Sequence, residues 1–322
     1  MANLTTIFRA ALIVAALSSG TESQAQQPAI FLADPTVFKD KGNYYLYGTS
    51  SNQGFLVYES ADLKTWRQPK DSSRRFALKR GEAFGNSGFW APQVFTFKGG
   101  YYMAYTANEQ IAIAKASSPA GPFKQDTMVA LSGTGKQIDP FVFFDENGKV
   151  YLFHVKLQRG NRIFVTEMKP DLSDVIPGTE KECIASTEAW ENTAAAEWPV
   201  AEGPTVLKHK NTYYLIYSAN DFRNKDYAVG YATSDSPTGP WKKYSRNPII
   251  NRQTVGHNGP GHGDVFADKS GQLYYIIHTH HSDDRVSPRA TGVIRLKFKT
   301  TKEGKEVLEA DSGSFEWLMG EQ

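Results

Sequence analysis

A short motif returns five times along this chain with one variable position, and that recurrence limits the possible folds more than any other feature. It reads Asp34-Pro35-Thr36-Val37-Phe38, Ala91-Pro92-Gln93-Val94-Phe95 and Asp139-Pro140-Phe141-Val142-Phe143. It returns as Gly203-Pro204-Thr205-Val206-Leu207, directly after Glu202, and as His262-Gly263-Asp264-Val265-Phe266. The valines are 57, 48, 64 and 59 residues apart. A period of that length signals a toroidal or stacked architecture. The variable position carries Asp, Ala, Asp, a Glu displaced by one, and His. Such variation is expected where equivalent points of a ring converge on one central site.

Each motif is followed by an aromatic run: Asn43–Tyr47, Gly100–Tyr105, Val150–Phe153, Thr212–Tyr217 and Leu273–Ile277. These runs are apolar at successive positions, so both faces of the strand must be covered. Sheets sandwiched between neighbours in a propeller meet that requirement. Gly- and Asn-containing turns separate motif from run, as in Lys41-Gly42-Asn43 and Lys98-Gly99-Gly100. A third strand is expected at Phe55–Ser60, Ile111–Ala116, Ile163–Met168, Ala228–Thr233 and Gly292–Phe298. Two of these lead into matching loops, Ser118-Pro119-Ala120-Gly121-Pro122-Phe123 and Ser236-Pro237-Thr238-Gly239-Pro240-Trp241. The fold predicted is all-β, a five-bladed β-propeller. A β-sandwich would also need many short strands, but it does not predict five repeats in phase.

The amino terminus reads as a targeting segment. Arg9 precedes the apolar stretch Ala10–Leu17, and Ser23-Gln24-Ala25 fits a small-x-small cleavage site. Residues 1–25 are therefore expected to be a secretory signal and 26–322 a single propeller domain, exported to the periplasm or beyond. No later segment is apolar for long enough to span a membrane. Cys183 is the only cysteine, so no intramolecular disulfide forms. With 36 Lys and Arg against 34 Asp and Glu, and no basic run, the chain lacks the clustered cations that nucleic acid requires.

In a propeller the starts of the innermost strands surround one cavity, so Asp34, Asp139 and Glu202 are expected to meet there. Three carboxylates in a partly desolvated cavity cannot all ionise easily, and their pKa values should separate. One can then act as an acid while another acts as a base.

The set Ala33-Asp34-Pro35, Phe89-Trp90-Ala91-Pro92, Ile138-Asp139-Pro140, Glu202-Gly203-Pro204 and Gly261-His262-Gly263 closely resembles glycoside hydrolase family 43, over roughly residues 30–300. The resemblance implies a five-bladed propeller that hydrolyses arabinose- and xylose-containing plant glycans with inversion. By position it implies Asp34 as general base, Glu202 as general acid, and Asp139 as the group that positions Glu202 and raises its pKa. It implies Trp90 as an apolar wall of the sugar pocket and Arg289 as a donor to substrate hydroxyls, with Phe141 and Trp198 flanking. It also implies a hydrated calcium on the axis at His262, an ion the acid–base chemistry itself does not require. A second metal reading, zinc at His278, His280 and His281, lacks a third ligand on a shared strand face.

Three function classes follow: an inverting glycosidase, a retaining sucrose- or fructan-cleaving enzyme, and a non-catalytic sugar-binding propeller. The retaining group carries Trp-Met-Asn-Asp-Pro where this chain has Phe31-Leu32-Ala33-Asp34-Pro35, and Glu-Cys where it has Glu202-Gly203. A binding propeller is expected to lack at least one carboxylate. About 22 residues follow the fifth repeat, fewer than the appended β-sandwich of many β-xylosidases in that family needs. Together with the Arg289 region this favours an α-L-arabinofuranosidase, with β-xylosidase or endo-acting arabinanase or xylanase as the alternatives. Rim loops at Gln68–Gly88, Asp171–Pro199 and Ser282–Ala290 read as polar and irregular.

Overall fold

Five antiparallel sheets surround one axis in the computed structural model, which describes residues 29–321. The expected signal segment 1–25 lies outside the described residues. The innermost strands are Ala33–Asp40, Trp90–Phe97, Gln137–Phe144, Ala201–His209 and Gly261–Ala267, one for each repeat of the motif. Each pairs with the aromatic run that follows it, and that run pairs with the third strand. We number the sheets as blades I to V in chain order.

The middle strands explain why the runs do not alternate. Tyr213 to Ala219 in blade IV and Val150 to Lys156 in blade III are buried at every position, since each blade is covered on both faces by its neighbours. The apolar clusters accordingly lie between blades. Phe153 and Val155 of blade III pack with Leu215 and Tyr217 of blade IV, and Tyr47 of blade I packs with Tyr105 of blade II. The ring closes where the Ile30 N–H donates to the Leu318 carbonyl and the Thr291 N–H donates to the Ile30 carbonyl. Met319–Gly320 then pairs in parallel with Thr65–Trp66 of blade I.

Three segments differ from the sequence expectation. Phe55–Ser60 is not one strand. Gly54–Leu56 turns outward to pair with Phe76–Lys79, while Tyr58–Ser60 stays in blade I. The stretch read as a loop at 68–88 thus contains a strand, whose Ala77 and Leu78 are buried in the core between blades I and II. The stretch 171–199 contains the fourth strand of blade III, Lys181–Ile184, and a 3-10 turn at Ala189–Glu191. Both strands are short and have no alternating pattern of their own to announce them.

The motif itself is a β-bulge, repeated five times. The register between first and second strands slips at Ala33/Thr36, Trp90/Gln93, Ile138/Phe141, Glu202/Thr205 and Gly261/Asp264. Asp34, Ala91, Asp139, Gly203 and His262 occupy the left-handed region, with φ of 48°, 46°, 56°, 59° and 39°. Only Gly203 adopts that conformation without steric cost. A bulge re-aims side chains, and here it turns two consecutive positions toward the same cavity. Glu202 is one step ahead of Asp34 and Asp139, at the bulge position that Trp90 occupies in blade II.

Each left-handed residue also needs a partner for its N–H. The Ala91 N–H donates to Thr49 Oγ1 at 3.0 Å, Asp139 to Thr106 Oγ1 at 2.9 Å, His262 to Ser218 Oγ at 2.8 Å and Asp34 to His278 Nδ1 at 3.1 Å. These acceptors sit at the same place in the second strand of the preceding blade, opposite Ala33, Trp90, Glu202 and Gly261. In blade III that place is Val155, opposite Ile138. Valine cannot accept, and the Gly203 N–H goes to Asp139 Oδ2 at 3.2 Å instead.

Candidate active site

The cavity at the top of the axis has a volume of about 390 Å³ and is lined by Asp34, Trp90, Asp139, Asn161, Trp198, Glu202, Phe222, His262 and Arg289, among others. All three carboxylates are at least nine-tenths buried. Their surroundings are not alike, and the differences divide their chemistry.

Asp34 is surrounded by donors and positive charge. Arg289 Nη1 donates to its Oδ1 at 3.0 Å, Thr49 donates to its Oδ2 at 2.7 Å, and His262 Nδ1 lies 3.4 Å from Oδ1. Burial alone would raise its pKa, but Arg289, His262, His278 and the Thr49 hydroxyl override it and hold the carboxyl well below its ordinary range. Asp34 is a carboxylate at any working pH. His278 is held uncharged: burial and the adjacent Arg289 push it well below the ordinary histidine value. A neutral imidazole has one acceptor nitrogen. With Nδ1 taking the Asp34 N–H, the 3.1 Å approach of Arg289 to Nε2 is a packing contact.

Asp139 and Glu202 are pushed the other way. Burial raises Asp139 to about 7, helped by the charges of Glu202 and Asp34, while His262 and the Gly203 N–H act against it. Burial also raises Glu202, against the pull of His262, Tyr227 and Asn161. The Tyr227 hydroxyl donates to Glu202 Oε1 and Asn161 Nδ2 to Oε2, both at 2.8 Å. His262 has its Nδ1 3.9 Å from Asp139 Oδ2 as well as facing Asp34. Burial would lower its pKa, yet Asp139, Asp34 and Glu202 together raise it.

The structure brings Asp34, Trp90, Asp139, Trp198, Glu202, His262 and Arg289 into one site. It does not bring Phe141 there. Phe141 instead lines an adjoining small cavity on the axis with Gln93, Thr205 and Asp264, on whose edge Asp34, Asp139 and His262 also lie. Trp90 and Trp198 are 36% and 49% exposed, unusual for indoles, and they border the opening as flat apolar surfaces of the kind sugar rings stack on. The Arg289 guanidinium lies 4.5 Å from the centre of the Phe222 ring.

Asn161, Tyr227 and Phe222 escaped the sequence reading, and His278 entered it only through the rejected zinc tract. Asn161 starts the third strand of blade III and Tyr227 precedes that of blade IV, so both face the opening from the outer part of a blade. The in-phase motif marks only innermost strands and carries no signal for them. The His-rich tract divides: His278 belongs to the site, His280 Nε2 lies 2.9 Å from the Phe222 carbonyl, and His281 Nδ1 lies 3.2 Å from that of Pro288. Among the described residues no group of three or more His, Cys, Asp or Glu side chains forms a metal cage. A hydrated ion at His262 would draw on one imidazole and on water.

A family model described as Glycosyl hydrolases family 43 matches residues 28–302. A crystal structure of an endo-1,4-beta-xylanase from Bacteroides thetaiotaomicron superposes with a TM-score of 0.82 at 37% identity, covering 91% of this chain and 98% of that one. An extracellular endo-alpha-(1->5)-L-arabinanase of Bacillus subtilis is 25% identical over 84% of this chain and 70% of its own length. An extracellular exo-alpha-(1->5)-L-arabinofuranosidase of Cellvibrio japonicus is 23% identical over 85% and 84%. The chain spans only 44% of the length of a Xylanibacter ruminicola relative that it matches at 26% identity.

Proposed function

The chain belongs to glycosyl hydrolases family 43, and on that premise we propose that it is an inverting glycosidase that releases pentose units from plant glycans, with α-L-arabinofuranosidase as the first reading. One observation carries the mechanism: a fixed carboxylate at Asp34 shares a cavity with two carboxyls, Asp139 and Glu202, that burial shifts toward their protonated forms. Asp34 takes a proton from water as the water oxygen bonds to the anomeric carbon. The bond from that carbon to the leaving oxygen breaks, and Glu202 protonates the leaving oxygen. Attack from the face opposite the acid inverts the anomeric configuration. Once ionised, Asp139 keeps the proton on Glu202 by like charge, and the His262 ring sits between Asp139 and Asp34.

Trp90 and Trp198 supply stacking surfaces, and Arg289 is placed to donate to a sugar hydroxyl as well as to Asp34. The arabinan-acting names of the Bacillus and Cellvibrio relatives support arabinose as the sugar. A second reading, action on xylan, is favoured by the name of the 37%-identical Bacteroides structure. The ion at His262 and cleavage of residues 1–25 on export are part of the proposal, and two relatives are described as extracellular.

The test is hydrolysis of arabinofuranosides, xylosides and their oligosaccharides, with the first-formed anomer followed by NMR. Inverted L-arabinose from the non-reducing end supports the first reading, and xylo-oligosaccharide products favour the second. A retained anomer would make Asp34 a nucleophile in place of a general base and overturn the inverting reading.

A further inference from the structure

Glu202 is reached by a relay of two side chains, Asn161 at the start of blade III's third strand and Trp198 in the segment before blade IV. Trp198 Nε1–H donates to Asn161 Oδ1 at 2.9 Å, and Asn161 Nδ2–H donates to Glu202 Oε2 at 2.8 Å. The Asn161 backbone is clamped in turn: its N–H donates to the Pro199 carbonyl at 2.9 Å, and Asn161 bridges to Val200. Gly160, at φ +111°, allows that approach, because a Cβ there would collide with the Pro199 carbonyl oxygen. The segment 198–200 therefore holds Asn161 at both main chain and side chain, immediately before the strand that carries Glu202.

A carboxamide has a donor end and an acceptor end of nearly identical shape, so contact alone does not decide which end faces a neighbour. An indole N–H is a donor only and must meet the oxygen end. We propose that the Trp198 N–H sets the orientation of the Asn161 amide, making Asn161 a positioning residue that presents a donor, never an acceptor, to Glu202.

Two consequences follow, and both rest on the reading of Glu202 as the general acid. A proton on Oε2 cannot be directed at Asn161, whose facing atom accepts nothing, so it is left to point into the cavity where a leaving oxygen would sit. The donor also favours the ionised acid, which limits how far burial can raise its pKa. A reversed amide would accept from the protonated carboxyl and hold the proton back. The other groups facing Glu202 are the carboxylates Asp34 and Asp139, the His262 ring and the Tyr227 hydroxyl. Asp221, Arg223 and Arg289 complete the charged lining of the cavity.

The experiment is the pH profile of kcat/KM on an oligosaccharide with a poor leaving group for Trp198→Phe, Asn161→Ala and Glu202→Gln. Trp198→Phe keeps an aromatic face and deletes the N–H. Since Trp198 is 49% exposed, the fold should tolerate the change. The basic limb, where the acid loses its proton, should move up by about one pH unit in Trp198→Phe and Asn161→Ala. An unchanged limb with a merely lower rate would overturn the inference, because lost packing or stacking moves no limb. Glu202→Gln separates the two ideas. If it loses activity on the poor leaving group but retains it on an activated aryl glycoside, the acid assignment stands whatever the other variants do. If it keeps ordinary activity on both, that assignment fails first.

Discussion

Asp34 and Asp139 begin from the same place and end with opposite chemistry. Both head the innermost strand of a blade, both precede proline, and both sit in the left-handed region of the same bulge. Burial pushes both pKa values up. Asp34 receives the Thr49 hydroxyl from its own blade and Arg289 and two imidazoles from blade V, and it stays ionised. Asp139 receives one backbone N–H and His262 against two like charges, and it titrates near neutrality, at about 7. The backbone repeat thus delivers a carboxyl to the cavity, while residues contributed by other strands decide its charge. Ala91, strained in the same way with no functional group, shows that the strain belongs to the architecture and not to catalysis.

The most severe break in the comparison is Asp34→Asn, which replaces the fixed carboxylate with an amide of similar shape. Turnover should fall by about 10³-fold or more, within the range a positioned base contributes, while the melting curve shows an intact fold. Near-normal turnover in this variant would remove Asp34 as the base. Next in size is Arg289→Ala, which strips Asp34 of its cation. Losing a charged hydrogen bond on this scale should cost about 10–100-fold in kcat/KM at neutral pH. Without the cation the Asp34 pKa rises, so the acidic limb, where the base takes up its proton, should shift to higher pH. A fall in rate with the limb unmoved would mean that Arg289 serves the substrate alone.

Asp139→Asn tests the other half, with roughly tenfold loss of turnover expected. Removing the negative charge beside Glu202 lowers the acid's pKa, so the basic limb should move down. The two aspartates also pull stability in opposite directions. The depressed Asp34 contributes stability above its ordinary value of 3.8 that is lost as pH falls through its lower folded value. The raised Asp139 contributes stability that is complete below 3.8 and lost as pH rises through about 7. Asp139→Asn should therefore melt higher than the parent above pH 7, with the gain gone near pH 4. Equal melting temperatures at pH 8 would mean that the charge on Asp139 is compensated more fully than its contacts indicate.

Most of the frame was legible because it repeats. Five valines in phase and five doubly apolar runs fix the blades, and the residue ahead of each proline reports which side chain reaches the axis. The displaced Glu202 was legible for the same reason, and the bulge shows why the displacement does not matter: both positions face the cavity. What escaped lies off the repeat. Asn161 and Tyr227 act from the starts of third strands, where loops of different length enter each blade. Phe141 has the right residue type beside the right motif, yet it lines the small axial cavity and not the one bordered by Trp90 and Trp198. The Phe76–Lys79 strand is legible only through its partner, Gly54–Leu56.

The smallest expected effect tests how Asp139 became different from its equivalents. In four blades the second strand ends with a side chain that accepts the next bulge N–H: Thr49, Thr106, Ser218 and His278. Blade III has Val155 there, fully buried, and the unmet Gly203 N–H turns to Asp139. Val155→Thr adds the missing hydroxyl with little change in volume, although a buried hydroxyl costs about 1–3 kcal/mol where its hydrogen bonds are imperfect. The Gly203 N–H then has the partner its counterparts have. Asp139 loses a donor that favours its ionised form, so its pKa rises further and its like charge acts on Glu202 only at higher pH. Turnover should drop a few-fold, with the inflection assigned to Asp139 shifting upward by less than one unit. A structure of the Val155→Thr variant would show the introduced hydroxyl within hydrogen-bond distance of the Gly203 nitrogen. If that bond forms and the pH profile does not move, the Gly203 contact is incidental, and the difference between the two aspartates rests on the groups around Asp34, namely Arg289, Thr49 and the two imidazoles.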